Sequence, residues 1–421
     1  MVACSYPWLS RVAGRFSVIP ALLAIGLVAG CETEGPIKPV APQAAPVTTQ
    51  TPAPIARHPL SGEEPGFLRL GNMSPNHVPV RVGVLLPFSN GSAATRALAA
   101  GMMKAAELAV FDSGNSDILL IAADEGSNPE ASAAAARSVL AQGAEIIVGP
   151  LFAQAAEAVG RVARDRDVPV VSFSTDRKVA GDGVYLLSFL PEAEVHRVIS
   201  YAASQGRVNF AALVPETAYG ERVGEYFRGE VKSAGANVTD VEKFVPAADG
   251  LPEPIHALVA TKPDAILIAQ GGALLREITS SLASAGMNMA QVKLLGTGLW
   301  DDPATAREPM LAGGLFAAPS PEADQGFEAK YHSVYGSNPA KLAPLAYDAV
   351  SLVALLSNGT PYKRFTEQAL TDPNGFSGVD GIFRFRSDGT SERGLAVMTI
   401  EPGGALHVVS PAPRTFEEKG S

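Results

Sequence analysis

Short apolar runs rich in β-branched residues alternate with helix-like segments from Val80 onward, and this alternation limits the folds open to the chain. VRVGVLLPF (80–88) and DILLIAADE (117–125) are continuous apolar runs of strand length, a pattern typical of strands buried on both faces. Helix-like segments follow them at 93–111 and 131–143. Strands joined by helices of this length predict right-handed βαβ units, and therefore an α/β fold with a doubly wound parallel sheet.

The same plan begins again at NFAALVPET (209–217) and continues to the predicted strand GLFAAPSP (314–321). The sequence therefore predicts two doubly wound, Rossmann-like lobes with a hinge and a cleft between them. A predicted helix at 343–357 follows the strands of the second lobe and is expected to return to the first lobe. A final stretch alternates apolar and polar residues around the Asp388-Gly389 turn, which predicts a hairpin.

The expected boundaries follow from these patterns and from a change in composition near residue 79. They are a signal peptide at 1–30, a Pro/Ala-rich disordered tether at 31–78, a folded body at 79–410 and a disordered tail at 411–421. Within the body, the first lobe is expected at about 79–200 plus 325–355, and the second lobe at about 205–322 plus the C-terminal hairpin.

The N-terminus has the features of an export signal. Arg11 and Arg15 precede an apolar run at about 16–29, which is short for a membrane-spanning helix. The motif VAGC that ends at Cys31 resembles the bacterial lipobox, which implies cleavage before Cys31 and lipidation of its thiol. The alternative is an ordinary secretory signal in which the cysteine is incidental.

The residue after the cysteine indicates whether the inner or the outer membrane would hold such an anchor. Glu32 stands where an aspartate would retain an enterobacterial lipoprotein at the inner membrane. The expected location is therefore the periplasm, with the lipid anchor in the inner leaflet of the outer membrane.

Composition and motifs argue against several classes of function. The net charge is -10 without a basic cluster, so no nucleic-acid partner is predicted. The two cysteines, Cys4 and Cys31, lie in the N-terminal segment, which leaves the folded body without thiol chemistry. The six histidines show no paired metal-binding spacing, and no GxSxG or GxGxxG motif is present. We therefore predict no catalytic residue, no metal site, no cofactor and no enzymatic activity.

Several segments together resemble the type I periplasmic-binding proteins, in the Leu/Ile/Val-binding branch. The resemblance rests on VGVLLPFSNGSA, IIVGPLFAQAAEAV, VPVVSFSTD, AYGE at 218–221, ILIAQGG, LLGTGLW, LAYDAV and the GVDGIFRFRSDGT hairpin. It implies a small-molecule ligand in the cleft, beyond the carboxyl ends of the strands. The cleft candidates that it implies are Ser89, Asn90, Phe152, Gln154, Ser172, Ser174, Thr175, Asp176, Tyr219, Gln270, Thr297 and Trp300.

One of these loops departs from the family pattern. In the amino-acid binders a hydroxyl-rich loop holds the ligand carboxylate, but here Phe152-Ala153-Gln154-Ala155 has no hydroxyl. The chain also resembles, more narrowly, the lipoprotein activators of penicillin-binding proteins, through GVLLPFSN, ALAAGMMKAAELAVFD and VPVVSFSTDRKVAG. That resemblance implies a non-catalytic regulator of peptidoglycan synthesis whose partner is a penicillin-binding protein. The alternative is a solute receptor of an ABC transporter, for an amino acid, a peptide or a similar small ligand.

Individual residues keep two interpretations at this point. Tyr219 is a cleft residue or a core aromatic. Trp300 lines a ligand pocket or a protein interface, or packs at the hinge. Asp176 pairs with a ligand or belongs to a surface charge cluster. Glu125, at the end of a predicted strand, has a cleft role or is solvated, and solvation is the favoured interpretation.

Overall fold

The computed structural model of the chain describes residues 78–323 and 325–416. The predicted signal peptide, Cys31 and nearly all of the predicted tether lie outside the described residues, as does the tail from 417 onward. Within the described residues, no helix combines the length and hydrophobicity needed to cross a membrane.

The first lobe is built on a five-stranded parallel sheet with the strand order β2-β1-β3-β4-β5. Its N-terminal elements are β1 (Val80–Leu86), α1 (Ala93–Ser113), β2 (Ile118–Asp124), α2 (Pro129–Ala141), β3 (Ile146–Val148), α3 (Ala153–Arg164), β4 (Val170–Ser172) and β5 (Val184–Leu186). All seven residues of β1 are buried, because helices cover both faces of the sheet. Val82 and Val84 face the core that contains α1, whereas Leu85 faces the core that contains α2 and α3.

The second lobe repeats this strand order as β7-β6-β8-β9-β10, again with parallel pairing. Its main elements are α4 (Pro191–Ser204), β6 (Asn209–Pro215), α5 (Ala218–Ser233), β7 (Asn237–Phe244), α6 (Pro252–Ala260), β8 (Ala265–Ile268), α7 (Gly272–Ser284), β9 (Lys293–Gly296), α8 (Pro303–Ala306) and β10 (Leu315–Ala318). The predicted α/β fold with two parallel-sheet lobes is confirmed by this arrangement.

The chain then returns to the first lobe before it ends in the second. The returning elements are α9 (Gln325–Tyr335), α10 (Ala343–Leu356), α11 (Glu367–Leu370), β11 (Phe376–Gly378), β12 (Gly381–Phe385) and β13 (Ser391–Arg393). Helix α10 packs on α1, and β11, β12 and β13 form a separate antiparallel sheet. The last strands, β14 (Ala396–Ile400) and β15 (Leu406–Ser410), extend the second lobe's sheet by antiparallel pairing.

Two features of the lobes differ from the sequence-based boundaries. The junction expected near residue 200 lies before α4, because α4 packs in the core of the second lobe through Val195, Val198 and Ile199. The expected C-terminal hairpin is also divided between the lobes. The Asp388-Gly389 turn joins β13 to β12, whose Phe383 and Phe385 enter the first lobe's core, whereas β14 and β15 belong to the second lobe.

The chain therefore crosses between the lobes at three places among the described residues. The crossings lie at Ser188–Pro191, at Pro319–Pro321 and at Gly394–Leu395. A buried ion pair stands beside the third crossing: Arg393 Nη2 lies 3.7 Å from Asp348 Oδ2, and both side chains are almost completely buried. The Arg393 guanidinium also stacks on Phe189, 4.6 Å from the ring centroid, and Phe189 belongs to the first crossing.

Burial dominates the electrostatics of this pair. It raises the pKa of Asp348 to about 6, although the Arg393 guanidinium and the Val379 N–H, 2.7 Å from Asp348 Oδ1, act in the opposite direction. An Asp348 carboxyl without its cation would therefore be a costly buried charge.

We expect Arg393→Met to lower the free energy of unfolding by about 3 kcal/mol, because it leaves Asp348 buried and unpaired. Chemical denaturation measures this loss, and Asp348→Asn in the same chain should restore part of it. Arg386→Met is the matched control, since Arg386 pairs with Glu392 at an exposed position and should cost less than about 1 kcal/mol. Equal losses for the two single variants would contradict the importance given to the buried pair.

Candidate functional site

A cavity of about 1010 Å³ lies between the two lobes. First-lobe residues that follow β3, β4 and β5 line one side, including Phe152, Thr175 and Phe189. Second-lobe residues that follow β6 and β9, including Tyr219 and Leu299, line the other side. The carboxyl ends of both parallel sheets therefore open into this one space, which is where open α/β sheets hold their ligands.

Apolar side chains form most of the cavity wall, and the three crossings contribute to it. Leu98, Phe173 and Phe189 come from the first lobe, and Leu395 comes from the third crossing. Proteins use this combination, apolar walls with a small number of polar groups, to bind small molecules.

Polar contacts bridge the two lobes at the cavity. Arg222 of α5 donates through Nη1 to the Thr175 carbonyl oxygen at 2.8 Å, and it lies 3.8 Å from Asp176 Oδ1. Next to this contact, the Arg177 guanidinium donates to the Tyr226 hydroxyl. Two hydrogen bonds therefore connect the lobes here, one beside the cavity wall at Thr175 and one next to it at Arg177.

A second bridge joins the lobes through a lysine. Lys341, between α9 and α10, donates to the Asp301 carbonyl oxygen, and its Nζ lies 3.1 Å from Asp301 Oδ2. Asp301 follows the short 3₁₀ turn Gly298–Trp300 of the second lobe. The Arg222 contact and the Lys341–Asp301 pair together show that the two lobes meet at more than one place around the cavity.

Three of the sequence-predicted candidates, Phe152, Thr175 and Tyr219, line the cavity. Phe152 is 45% exposed and stands before the first turn of α3 without a side-chain cap. The Tyr219 hydroxyl is hydrogen-bonded to Thr297 Oγ1 at 2.8 Å, and burial raises the pKa of this tyrosine. Tyr219 is thus both a cavity residue and a part of the second lobe's packing.

The candidate serines of the β4 loop do not line the cavity. Ser172 is fully buried, donates to the Pro150 carbonyl oxygen at 2.9 Å and accepts the Ser174 N–H at 3.2 Å. Ser174 is also buried and accepts the Asp176 N–H at 3.1 Å. Their hydroxyls therefore shape the loop that carries Thr175, because the backbone takes up their hydrogen-bonding capacity.

The candidates in the second lobe's loops are also structural. Trp300 is fully buried in the second lobe's core, and its Nε1–H donates to the Gln270 carbonyl oxygen at 2.9 Å. Thr297 is buried beneath the same turn. The pocket interpretation of Trp300 is therefore wrong in this structure, since the indole packs away from the cavity.

The remaining candidates lie outside the cavity wall. Ser89 N–H donates to Asp124 Oδ2 at 2.9 Å, and the Asn90 amide donates to the Gly126 carbonyl oxygen at 2.9 Å. These contacts join the loops that follow β1 and β2. Gln154 is exposed on α3. Asp176 is half-buried and accepts the Lys178 N–H, besides its contact with Arg222.

Glu125 is buried, which is contrary to the solvated interpretation. Its Oε2 accepts the Leu151 N–H at 2.7 Å, and burial raises its pKa to about 7. Because Leu151 and Phe152 both line the cavity, this carboxyl group supports the loop that forms one wall.

Sequence reasoning missed an acidic residue that is buried in the cavity wall, Glu194. It is 8% exposed, and its Oε2 accepts the Gly298 N–H at 2.8 Å. A Cβ at position 298 would lie 2.5 Å from Glu194 Oε1, so a larger residue there would require the Glu194 carboxyl group to shift. Burial raises the pKa of Glu194 to about 8, against the lowering effect of the Gly298 N–H.

Arg222 and Lys341 were also missed, and no pattern in the sequence marks them. Both are charged residues without a distinguishing motif, and the approach of the two lobes brings them to the cavity. Among the described residues, no group of three or more His, Cys, Asp or Glu side chains is placed to hold a metal ion.

Comparisons with known proteins agree with this geometry. Residues 79–405 match the family described as periplasmic binding protein. The fold is similar to a structure from Rhodospirillum rubrum described as a branched-chain amino acid ABC transporter. The two sequences are 19% identical, and the TM-score is 0.69. The similarity covers 79% of this chain and 100% of that chain.

Two further similarities are more distant. A solute binding protein of an ABC transporter from Rhodopseudomonas palustris BisB5, in complex with 3,4-dihydroxybenzoic acid, is 18% identical, with 81% of this chain and 98% of that chain covered and a TM-score of 0.59. A stretch of 120 residues is 21% identical to the uncharacterized protein RP748 of Rickettsia prowazekii (strain Madrid E), covering 28% of this chain and 32% of that protein. The family match covers most of the chain, and the chain belongs to the periplasmic binding protein family.

Proposed function

We propose that the protein is a periplasmic, non-catalytic receptor that binds a small solute between its lobes, as the substrate-binding component of an ABC transporter. The observation that carries this proposal is the interlobe cavity of about 1010 Å³ at the carboxyl ends of both sheets. This volume suits a solute of amino-acid size or larger. The similar ABC transporter structures support this function over that of a synthase activator.

The contacts between the lobes fit a receptor that encloses its solute. Thr175 and Arg222 meet across the cavity from opposite lobes, and Lys341 meets Asp301 in the same way. The ligand-contact residues that we propose from the sequence candidates are Phe152, Thr175 and Tyr219, since these line the cavity. The buried candidates Ser172 and Thr297 would act on the solute through the loops that they hold.

We expect Ser320→Trp to weaken solute binding, because Ser320 is a half-buried residue of the cavity wall and an indole there would occupy part of the space open to a solute. In a thermal-shift screen of amino acids, short peptides and aromatic acids, a solute at about 100 times its Kd should stabilise the wild-type protein by about 2.7 kcal/mol, or roughly 5 °C.

The matched control is Ser233→Trp, the same replacement at the exposed end of α5. It should bind solutes as the wild type does. A screen in which no solute shifts the wild-type transition would contradict the receptor function, as would a Ser320→Trp variant that keeps the full shift.

A lipid-anchored activator of penicillin-binding proteins is a second candidate, and one observation favours it. Phe152 exposes a large aromatic side chain in the loop that lacks the hydroxyls of the amino-acid binders. Exposed aromatic residues are frequent anchors of protein interfaces. The lipidation of Cys31 and the anchoring in the outer membrane belong to this proposal, and two acyl signals would make such an anchor stable.

Capture from detergent-solubilised membranes tests this candidate. The wild-type chain should fractionate with membranes and retain a penicillin-binding protein, whereas Cys31→Ser should appear in the soluble periplasmic fraction. Phe152→Ser should lose the captured synthase, and Phe111→Ser, which alters an exposed aromatic residue on α1, should keep it. Failure of the wild type to retain a synthase would count against the activator function.

A further inference from the structure

Acidic side chains outnumber basic ones in the cavity wall, and the basic ones already have partners within the protein. Six charged residues line it, namely Glu194, Arg222, Asp301, Glu328, Lys341 and Asp380. Both cations are engaged by the protein itself: Lys341 pairs with Asp301 at 3.1 Å, and Arg222 donates to the Thr175 carbonyl oxygen at 2.8 Å. Neither cation forms an ion pair with Glu194 among the described residues.

Glu194 has no such cation. Its single hydrogen bond within the structurally described part of the chain, 78–323 and 325–416, is the one that its Oε2 accepts from the Gly298 N–H. Lys341 exerts a favourable field on it, but the hydrogen bonds of that ammonium go to Asp301. Glu194 is therefore a carboxyl group more than nine-tenths buried, in the wall of a cavity, with Oε1 lacking a donor.

A second acidic side chain strengthens the imbalance. Glu192 lies two positions before Glu194 in the same first turn of α4. Both of its carboxylate oxygens are buried and have no hydrogen-bond partner among the described residues. Its field acts on both Glu194 and Tyr219. In an apolar cavity such charges are weakly screened, so a carboxylate without a counter-charge is unfavourable.

We propose that the solute carries a primary ammonium or guanidinium group on an apolar body, and that Glu194 is the specificity-determining residue that binds this cation. The inference rests on the proposed solute-binding function and adds the chemical class of the solute. The apolar body would contact Leu98, Phe173, Phe189 and Leu395. A carboxylate in the same position would find no free cation beside it, because Lys341 pairs with Asp301 and Arg222 donates to the Thr175 carbonyl oxygen.

Three probes of similar shape test this assignment: benzylamine, benzyl alcohol and benzoate. Titration calorimetry with the purified protein should show benzylamine binding at least about tenfold more tightly than the other two, as expected for a hydrogen bond between charged groups. In Glu194→Gln the preference should fall to within about twofold, since the amide removes the charge. The amide oxygen of this variant still accepts the Gly298 N–H, so the fold should be retained.

The control is Glu221→Gln, which removes one acidic charge from the exposed face of α5, outside the cavity wall. It should keep the preference for benzylamine. Equal binding of the three probes by the wild type, a preference for benzoate, no binding of benzylamine, or an unchanged preference in Glu194→Gln would each overturn the assignment. The receptor function itself is contradicted by the thermal-shift results, when no solute binds or when Ser320→Trp keeps the full shift, so the two failures can be distinguished.

The pH dependence gives a second, independent readout. Because burial raises the pKa of Glu194 to about 8, the empty cavity holds this group protonated at neutral pH, and binding of a cation releases its proton. The affinity for benzylamine should therefore rise by up to about tenfold per pH unit between about pH 6 and about pH 8, and Glu194→Gln should remove this rise.

Other titratable and charged groups face Glu194 and must be considered in this experiment. They are Glu192 on its own helix, Tyr219 and Arg222 on α5, Asp301 after the 3₁₀ turn, and Lys341 between α9 and α10. A pH dependence that persists in Glu194→Gln would assign the titration to one of these groups and overturn the role of Glu194.

Discussion

The stacking of the Arg393 guanidinium on the ring of Phe189 joins two of the three places where the chain passes between its lobes. Phe189 also lines the cavity, and Arg393 forms a buried ion pair with Asp348 of α10. The buried ion pair therefore does more than hold the small antiparallel sheet on the first lobe. It also supports an aromatic residue of the cavity wall, because the guanidinium of the pair stacks on the ring of Phe189.

The cavity depends on the same combination of apolar packing and a few buried charges. Glu125 holds the loop of Leu151 from the first lobe, and Glu194 holds the turn of Gly298 from the second. Each of these carboxyl groups is buried and accepts a backbone N–H, and burial raises the pKa of each. Buried carboxyl groups thus support both walls of the cavity. Because their surroundings have a low dielectric constant, ionising either group costs more free energy than it would in water.

The sequence predicted the architecture well, because strands buried on both faces must be continuous apolar runs, and these runs occur twice in the same pattern. It also predicted some of the loops that line the cavity, those of Phe152, Thr175 and Leu299, since parallel strands place their carboxyl ends on one edge. The predicted loops of Ser89 and Gln270 lie outside the cavity wall. It did not predict which side chains of those loops turn inward. Ser172 and Trp300 have the residue types expected of a ligand site, but backbone groups take up their hydrogen bonds.

Glu194 shows the opposite case. A glutamate in the first turn of a helix is favoured by the helix dipole alone, so the sequence offers no reason to expect it in a cavity wall. Its burial depends on Gly298, which lies more than a hundred positions away in the chain and leaves room for the carboxyl group. Long-range packing of this kind leaves no local pattern, which is why the architecture was easier to predict than the site.

The repeated strand order has a consequence for how a solute can be oriented. Because both sheets follow one order and end at the same cavity, the backbone by itself offers similar strand ends and helix starts to the two ends of a bound molecule. Discrimination between head and tail must then come from side chains in which the lobes differ. The aromatic Phe152 and Phe189 lie on one side of the cavity and the acidic Glu194 on the other. These side chains make the two ends of the cavity chemically different, although the backbone fold at the two ends is similar.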